Sequence, residues 1–361
     1  MKRKHKKKIK KYIITVACLL IAVACVSNLW VLKKPIKFIG DTLAVPVLKA
    51  VLQTNSPSPD TFANSTEQTQ STTTVAPTTA QKTTKSASIS VSSSEAKGRV
   101  LSQTIDKSGA TDSLGDVYVK NKTAKVISLE KALSNNPEFK IKLNSKKPQV
   151  LIVHTHATES FFDTQKEYYT QTDVDNQRSK NCAKNMVALG EIVAKKLNDA
   201  GINTVHSRVL HDAESYTGSY DRSRETIQSY LKKHPSIKVV FDLHRDAITE
   251  EDGDKICPII DINDKTAGQI MLVCGCESGP ITGYPNWQKN LRFSLQLQKA
   301  LETTYPSLAR PLLFTEKKYN QDLCAQSVLI EVGSDSNTLS QVKHSSRLLS
   351  NVLIKFLKNY S

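Results

Sequence analysis

The sequence predicts an α/β protein with a largely parallel sheet flanked by helices. Three short apolar runs predict it: Val150-Leu151-Ile152-Val153, Val239-Val240-Phe241 and Val328-Leu329-Ile330. Each is uniformly apolar and mostly β-branched, as expected of strands buried on both faces. Between and after them lie segments with helical spacing of apolar residues, the alternation that builds a parallel sheet.

Each run also ends in residues that carry chemistry. The first leads into His154-Thr155-His156-Ala157-Thr158-Glu159-Ser160, the second into Asp242-Leu243-His244-Arg245-Asp246, the third into Glu331-Val332-Gly333. In open α/β sheets ligands bind beyond the carboxyl ends of strands. Three such ends bearing histidines and carboxylates therefore predict one shared site.

The N-terminus is organised differently. Eight cations in residues 1–11 supply half of the formal net charge of +16. Residues 12–32 carry no charge and at 1.5 Å per residue are long enough to cross a bilayer core. The cation excess ahead of that stretch predicts a cytoplasmic tail, a single transmembrane helix and an extracytoplasmic remainder. Cleavage, or lipidation near Ala22-Val23-Ala24-Cys25, is the rival reading of the same stretch.

Residues 33–52 read as a membrane-proximal segment. Residues 53–100 are rich in Ser, Thr, Gln, Ala and Pro, too poor in apolar side chains to offset the entropy of ordering, and are expected to be a disordered linker. The remaining residues carry little net charge, so a basic face for nucleic acid is not expected.

Beyond the linker, residues 101–147 read as an N-terminal extension and 148–361 as the catalytic domain. A strand is expected over 116–125 and a helix over 128–133. A long polar loop, 161–179, follows the first apolar run. Helices are predicted at 180–200, ended by Gly201, and at 219–233, closed by His234-Pro235. Strands are predicted at 202–205 and 237–243. Two more, 256–262 and 269–273, are expected to pair around Asn263-Asp264. A helix over 287–303, strands at 312–314 and 327–332, and a closing helix at 338–357 complete the pattern. Of seven cysteines, the five beyond the span (Cys182, Cys257, Cys274, Cys276, Cys324) are an odd number and are expected to be small buried hydrophobes, not a disulfide framework.

Hydrolysis of an amide needs a polarised carbonyl, an activated water and a proton shuttle. Zinc supplies the first two and a nearby carboxylate the third. A catalytic zinc has three protein ligands and one open position. The residues on offer at the strand ends are His154, His156, Glu159, His244, Asp246 and Glu331. His206, His211, His234 and His344 read as surface or packing residues, with His206 and His211 able to reach the rim. No Gly-x-Ser-x-Gly elbow, phosphate-binding loop, dinucleotide fingerprint or His-Glu-x-x-His is present.

The three strand-end motifs, with Asn337, Asn185-Met186-Val187-Ala188-Leu189-Gly190, His211-Asp212, Ser215-Tyr216 and Ser219-Tyr220, resemble the stage II sporulation protein P family. The basic tail, single span and polar linker match that family's layout. The resemblance implies a membrane-anchored peptidoglycan hydrolase of forespore engulfment. Such an enzyme cleaves the N-acetylmuramoyl-L-alanine amide and stem-peptide cross-links, alongside a glycan-cleaving D protein and a membrane M protein.

It also implies a fold similar to the zinc-dependent N-acetylmuramoyl-L-alanine amidases. Their Ile-Asp-Pro-Gly-His, laid over Ile152-Val153-His154-Thr155-His156, puts the first zinc ligand on His156. Their second histidine falls on His244 and their catalytic glutamate on Glu331. Their glutamate ligand lies early in the first helix, where this chain has Asn181, Cys182 and Asn185, so the third ligand is Glu159 or His154. Arg245 and His154 are expected to steady the oxyanion or to orient the ligands. Two other readings keep the fold: a non-catalytic, tethered wall-binding module that recruits partners, and a zinc peptidase or deacetylase with another substrate.

Overall fold

The computed structural model describes residues 95–361. The expected tail, span, membrane-proximal segment and most of the linker lie outside the described residues.

An eight-stranded sheet organises the described part. Its strands are β2 (Asp112–Leu114), β3 (Val117–Asn121), β4 (Val150–Val153), β6 (Thr204–His206), β7 (Val239–Asp246), β10 (Ile270–Gly275), β11 (Leu312–Thr315) and β12 (Ser327–Ser334). The spatial order is β2-β3-β11-β10-β12-β7-β4-β6. Five of its seven strand pairings are parallel and two, β2·β3 and β10·β12, are antiparallel. The expected α/β class with a largely parallel sheet is therefore what the chain forms.

Helices cover both faces because the strands are apolar on both. One face carries Ile152, Phe241, Leu243, Leu272 and Ile330. It packs against α3 (Met186–Asp199), α5 (Trp287–Thr304) and α6 (Leu339–Lys358). The other face carries Leu151, Val153 and Val240, which pack against Ile227 of α4 (Ser219–Lys233). Two short helices, α1 (Leu129–Ser134) and α2 (Gln171–Asp175), complete the set.

Three differences from the sequence reading matter for the site. The helix expected from residue 180 begins at Met186, because Asn185 caps it by accepting from the Val187 N–H at 3.0 Å. Residues 180–185 instead form the turn ahead of the helix, tied back by the Ser160–Asn185 bridge.

The strand at 256–262 does turn at Asn263-Asp264, both left-handed with φ of 52° and 57°, as a two-residue hairpin requires. Its partner, however, is β9 (Lys265–Gly268), not 269–273. At Gln269 the chain leaves that hairpin for the large sheet. Gln269 secures the crossing by pairing with both backbone groups of Ile105.

The hairpin is half of a second sheet, ordered β5-β1-β8-β9, that sequence reading did not anticipate. Here β1 is Gly98–Gln103, β5 is Tyr168–Tyr169 and β8 is Lys255–Ile262. The polar loop at 161–179 thus holds β5 and α2, and the extension at 101–147 gives β2 and β3 to the large sheet. All five described cysteines are free, with Cys257, Cys274 and Cys276 buried and Cys182 and Cys324 partly so.

Candidate active site

The site is built where β4, β7 and β12 end. On β7 the two-residue period of a strand puts Asp242 and His244 on one face. His244 Nε2 lies 3.0 Å from Asp242 Oδ1. Asp242 is held in turn by the Thr155 N–H at 2.9 Å and the Thr155 hydroxyl at 2.6 Å. Glu331 on β12 is the register neighbour of His244 and so shares that face.

After β4 the chain turns tightly, with Glu159 N–H donating to His156 O at 3.2 Å. That turn carries Glu159 back over β7. Its Oε2 accepts from the Arg245 backbone N–H at 3.1 Å and stands 3.8 Å from His244 Nδ1. His156 meets His244 edge-on, ring centroids 5.2 Å apart. Its Nδ1 lies 3.2 Å from the hydroxyl of Ser219, the first residue of α4.

Tyr216 stacks on the His156 ring at 4.4 Å, and the Arg178 guanidinium covers the other side of Tyr216 at 4.6 Å. Glu159, His244, Arg245, Asp246, Arg178 and Glu331 line one cavity of about 260 Å³.

The electrostatics follow from burial. Burial holds the His156 imidazole neutral, with its pKa down at about 2, helped by His244 and Arg178. Burial also opposes charge on His244, but the Asp242 carboxylate, then Glu159 and Glu331, raise its pKa to about 10. Asp242 sits below the usual carboxylate range. Burial alone would raise it, and His244 with the two Thr155 hydrogen bonds outweighs that. Burial raises Glu159.

Of the sequence-predicted residues, the structure brings together His156, His244, Glu159 and Glu331. His154 is not among them. Its ring lies on the helix side of β4, with Nδ1 3.0 Å from Leu243 O and Nε2 2.8 Å from His206 Nε2. Burial lowers its pKa to about 3. The strand stops at Val153 and a turn follows, so residues 154 and 156 do not share a face as they would on an extended strand.

The Arg245 guanidinium donates to Gln177 O at 3.0 Å and Asp246 O at 3.2 Å, and its backbone N–H is what meets Glu159. Asp246 lines the cavity with its carboxylate held by Arg310 Nη1 at 2.8 Å. His211 is a packing residue, bonded to His154 O and the Thr226 hydroxyl.

Sequence reasoning gave no role to Asp242, Arg178, Tyr216 or Ser219. Asp242 left one signal: a carboxylate inside an apolar strand two residues before a histidine. Arg178, inside a long polar loop, left none.

The donor set suits a zinc ion. It comprises a neutral imidazole, a second imidazole whose other nitrogen rests on a carboxylate, and a buried carboxylate. The carboxylate behind His244 is the usual partner of a metal-bound histidine. Two donors on one tetrahedral zinc stand about 3.3 Å apart, so the 3.8 Å between Glu159 and His244 has to close by about half an ångström. Among the described residues no three His, Cys, Asp or Glu side chains form a ready-made cage. The residues that would hold the ion are His156 through Nε2, His244 through Nδ1 and Glu159.

A match to the Stage II sporulation protein P of Bacillus subtilis (strain 168) spans 217 residues at 26% identity, 57% of this chain and 50% of that protein. Among solved structures, the CwlD amidase from Clostridioides difficile, in complex with the GerS lipoprotein, overlays with a TM-score of 0.36 at 10% identity. That overlay covers 59% of this chain and 98% of that one. An N-acetylmuramoyl-L-alanine amidase from Clostridium difficile 630 overlays at 0.34 and 18% identity, covering 60% and 97%. Overlays this loose carry no argument about chemistry. The model of the family Stage II sporulation protein P (SpoIIP) matches residues 33–354, nearly the whole sequence. The chain belongs to the stage II sporulation protein P family.

Proposed function

We propose that this chain is a zinc-dependent peptidoglycan hydrolase. It cuts the amide between N-acetylmuramic acid and L-alanine, and stem-peptide cross-links, during engulfment of the forespore. The observation that carries the proposal is the convergence of Glu159, His244 and Glu331, from three strand ends, on one cavity, with the His156 ring edge-on to His244. Residues 12–32 would anchor the enzyme in the cell membrane with the catalytic domain outside, and the D and M sporulation proteins would be its partners.

A bound zinc would polarise the scissile carbonyl and make a water nucleophilic at neutral pH. The chain's own residues do the rest. Glu331 takes a proton from the attacking water as its oxygen adds to the carbonyl carbon, then returns that proton to the leaving nitrogen as the C–N bond breaks. The Arg245 N–H holds the Glu159 carboxylate toward His244. Asp242 fixes which nitrogen of His244 faces the cavity. Arg178 and Tyr216 keep the His156 ring in its plane.

The test is digestion of purified sacculi by the full chain, with and without chelator, with products read by mass spectrometry. Soluble muropeptides released only with metal are expected, and Glu331→Gln should keep its zinc while losing about 10²- to 10⁴-fold in rate. Near-normal turnover in that variant would remove Glu331 from the mechanism. Binding to sacculi without any release would indicate a wall-binding module, and a different cut bond would indicate another peptidase or deacetylase.

A further inference from the structure

The sheet face that carries His244 and Glu331 continues past the cavity they line. Glu331 is the register neighbour of Met271 on β10. On the same face, Val273 of β10 neighbours Leu313 of β11, and Leu313 neighbours Lys120 of β3. Glu331 and Met271 are therefore level with each other, and Leu313 and Lys120 lie on the same face two residues farther along the strands. Met271 and Leu313 floor a second cavity of about 320 Å³, whose walls include Lys120, Lys122, Arg310 and Asp246. Asp246 also lines the cavity around His244 and Glu331, so the two are adjacent.

Three cations meet in this second cavity. Burial lowers the pKa of the Lys120 amine, and repulsion from Lys122 and Arg310 lowers it further. Arg310 is only 5% exposed. Its Nη1 is satisfied by Asp246, but its Nε and Nη2 make no hydrogen bond among the described residues. Asp106, also on the wall, has Oδ1 engaged by the Ser108 N–H and hydroxyl. Leaving a buried charged donor unmet costs about 1–3 kcal/mol, and gathering like charges adds to that cost. Such an arrangement suits an anionic ligand that the protein does not itself supply.

Resting on the hydrolase reading above, we propose that this cavity is a carboxylate subsite. Lys120, Lys122 and Arg310 receive a free carboxylate of the acidic peptide whose amide is cut beside Glu331. Three strand spacings and an offset of two residues along the strands separate Glu331 from Lys120, about 16 Å. An extended peptide covers that distance in about five residues. The apolar floor of Met271 and Leu313 takes the aliphatic part of the peptide between the two ends.

The experiment measures equilibrium binding to the full chain carrying Glu331→Gln. The two probes are an N-acetylmuramoyl tetrapeptide with its carboxylates free and the same compound with them amidated. The free acid should bind about tenfold more tightly. Lys120→Ala with Lys122→Ala should abolish the preference, and Lys120→Arg with Lys122→Arg should keep it. Equal affinity for the two probes, no binding of either, or a preference that survives the double alanine change overturns the subsite. Cleavage of the free acid by the unaltered chain is scored separately. Absence of cleavage with the binding preference intact would count against the hydrolase chemistry while supporting the subsite.

Discussion

Gly190→Ala isolates the packing that holds the first histidine-bearing strand end in place. Gly190 lies inside α3, where alanine would ordinarily stabilise by about 1 kcal/mol. A Cβ at this position would stand 2.4 Å from His206 Nε2 and 2.5 Å from His154 Nε2. Those are about 1 Å inside ordinary contact, and the two rings have little room to yield. His154 is 0% exposed, its Nδ1 is pinned to Leu243 O, and the two Nε2 atoms are bonded to each other at 2.8 Å. Overpacking costs about 1–3 kcal/mol, and parting the imidazoles forfeits about 1 kcal/mol more. Net of the helix gain, Gly190→Ala should destabilise by about 1–3 kcal/mol in urea unfolding of the full chain. Adding His206→Ala opens the space, so the cost of the alanine should fall in that background. A Gly190→Ala chain at least as stable as the original would refute the reasoning, because propensity would then have outweighed the clash.

Two further changes test the supports of the site. Asp242→Asn removes the charge behind His244, and zinc affinity measured against a chelator should fall about 10- to 100-fold; an unchanged affinity would show that Asp242 does not orient that ring. Lys255→Met leaves Asp335 buried without its ion-pair partner, and should cost about 3–5 kcal/mol in denaturant unfolding. Asp335→Leu in the same chain should recover most of that loss, and no recovery would place the cost in packing instead.

Much of this was legible because the residues concerned sit on strands. The apolar runs Val150–Val153, Val239–Phe241 and Val328–Ile330 were readable as buried strands, and a strand end is a fixed address in an α/β sheet. His244 and Glu331 follow from that reasoning alone. Turns are less legible. His154 and His156 looked equivalent on an extended strand, but β4 stops at Val153 and the two rings part, one to the helix layer and one to the cleft. The second sheet was hidden for a related reason. β5 has two residues and β9 four, too short for alternation to show. β1, β5 and the β8·β9 hairpin lie far apart in sequence, so no local pattern marks how they pair.

Register ties the chemistry to the fold. A strand shifted by one residue exchanges its two faces. Were β12 to slip by one against β7, Glu331 would turn toward the layer of α3, α5 and α6, and Ile330 would face the cleft. That slip would bury a carboxylate among Leu243, Leu349 and their neighbours and bring an apolar side chain to the water-filled side. Both exchanges are costly, so the apolar pattern that folds the sheet also selects the register that sets Glu331 beside His244. The same registration, carried across β10 and β11, fixes where Lys120 stands on that face relative to Glu331. With Glu331 as the proposed catalytic carboxylate and the cationic pocket as the proposed subsite, intervening strands that hold the two at a constant separation would act as a ruler, and the length of peptide that fits would be set by the sheet and not by loop conformation.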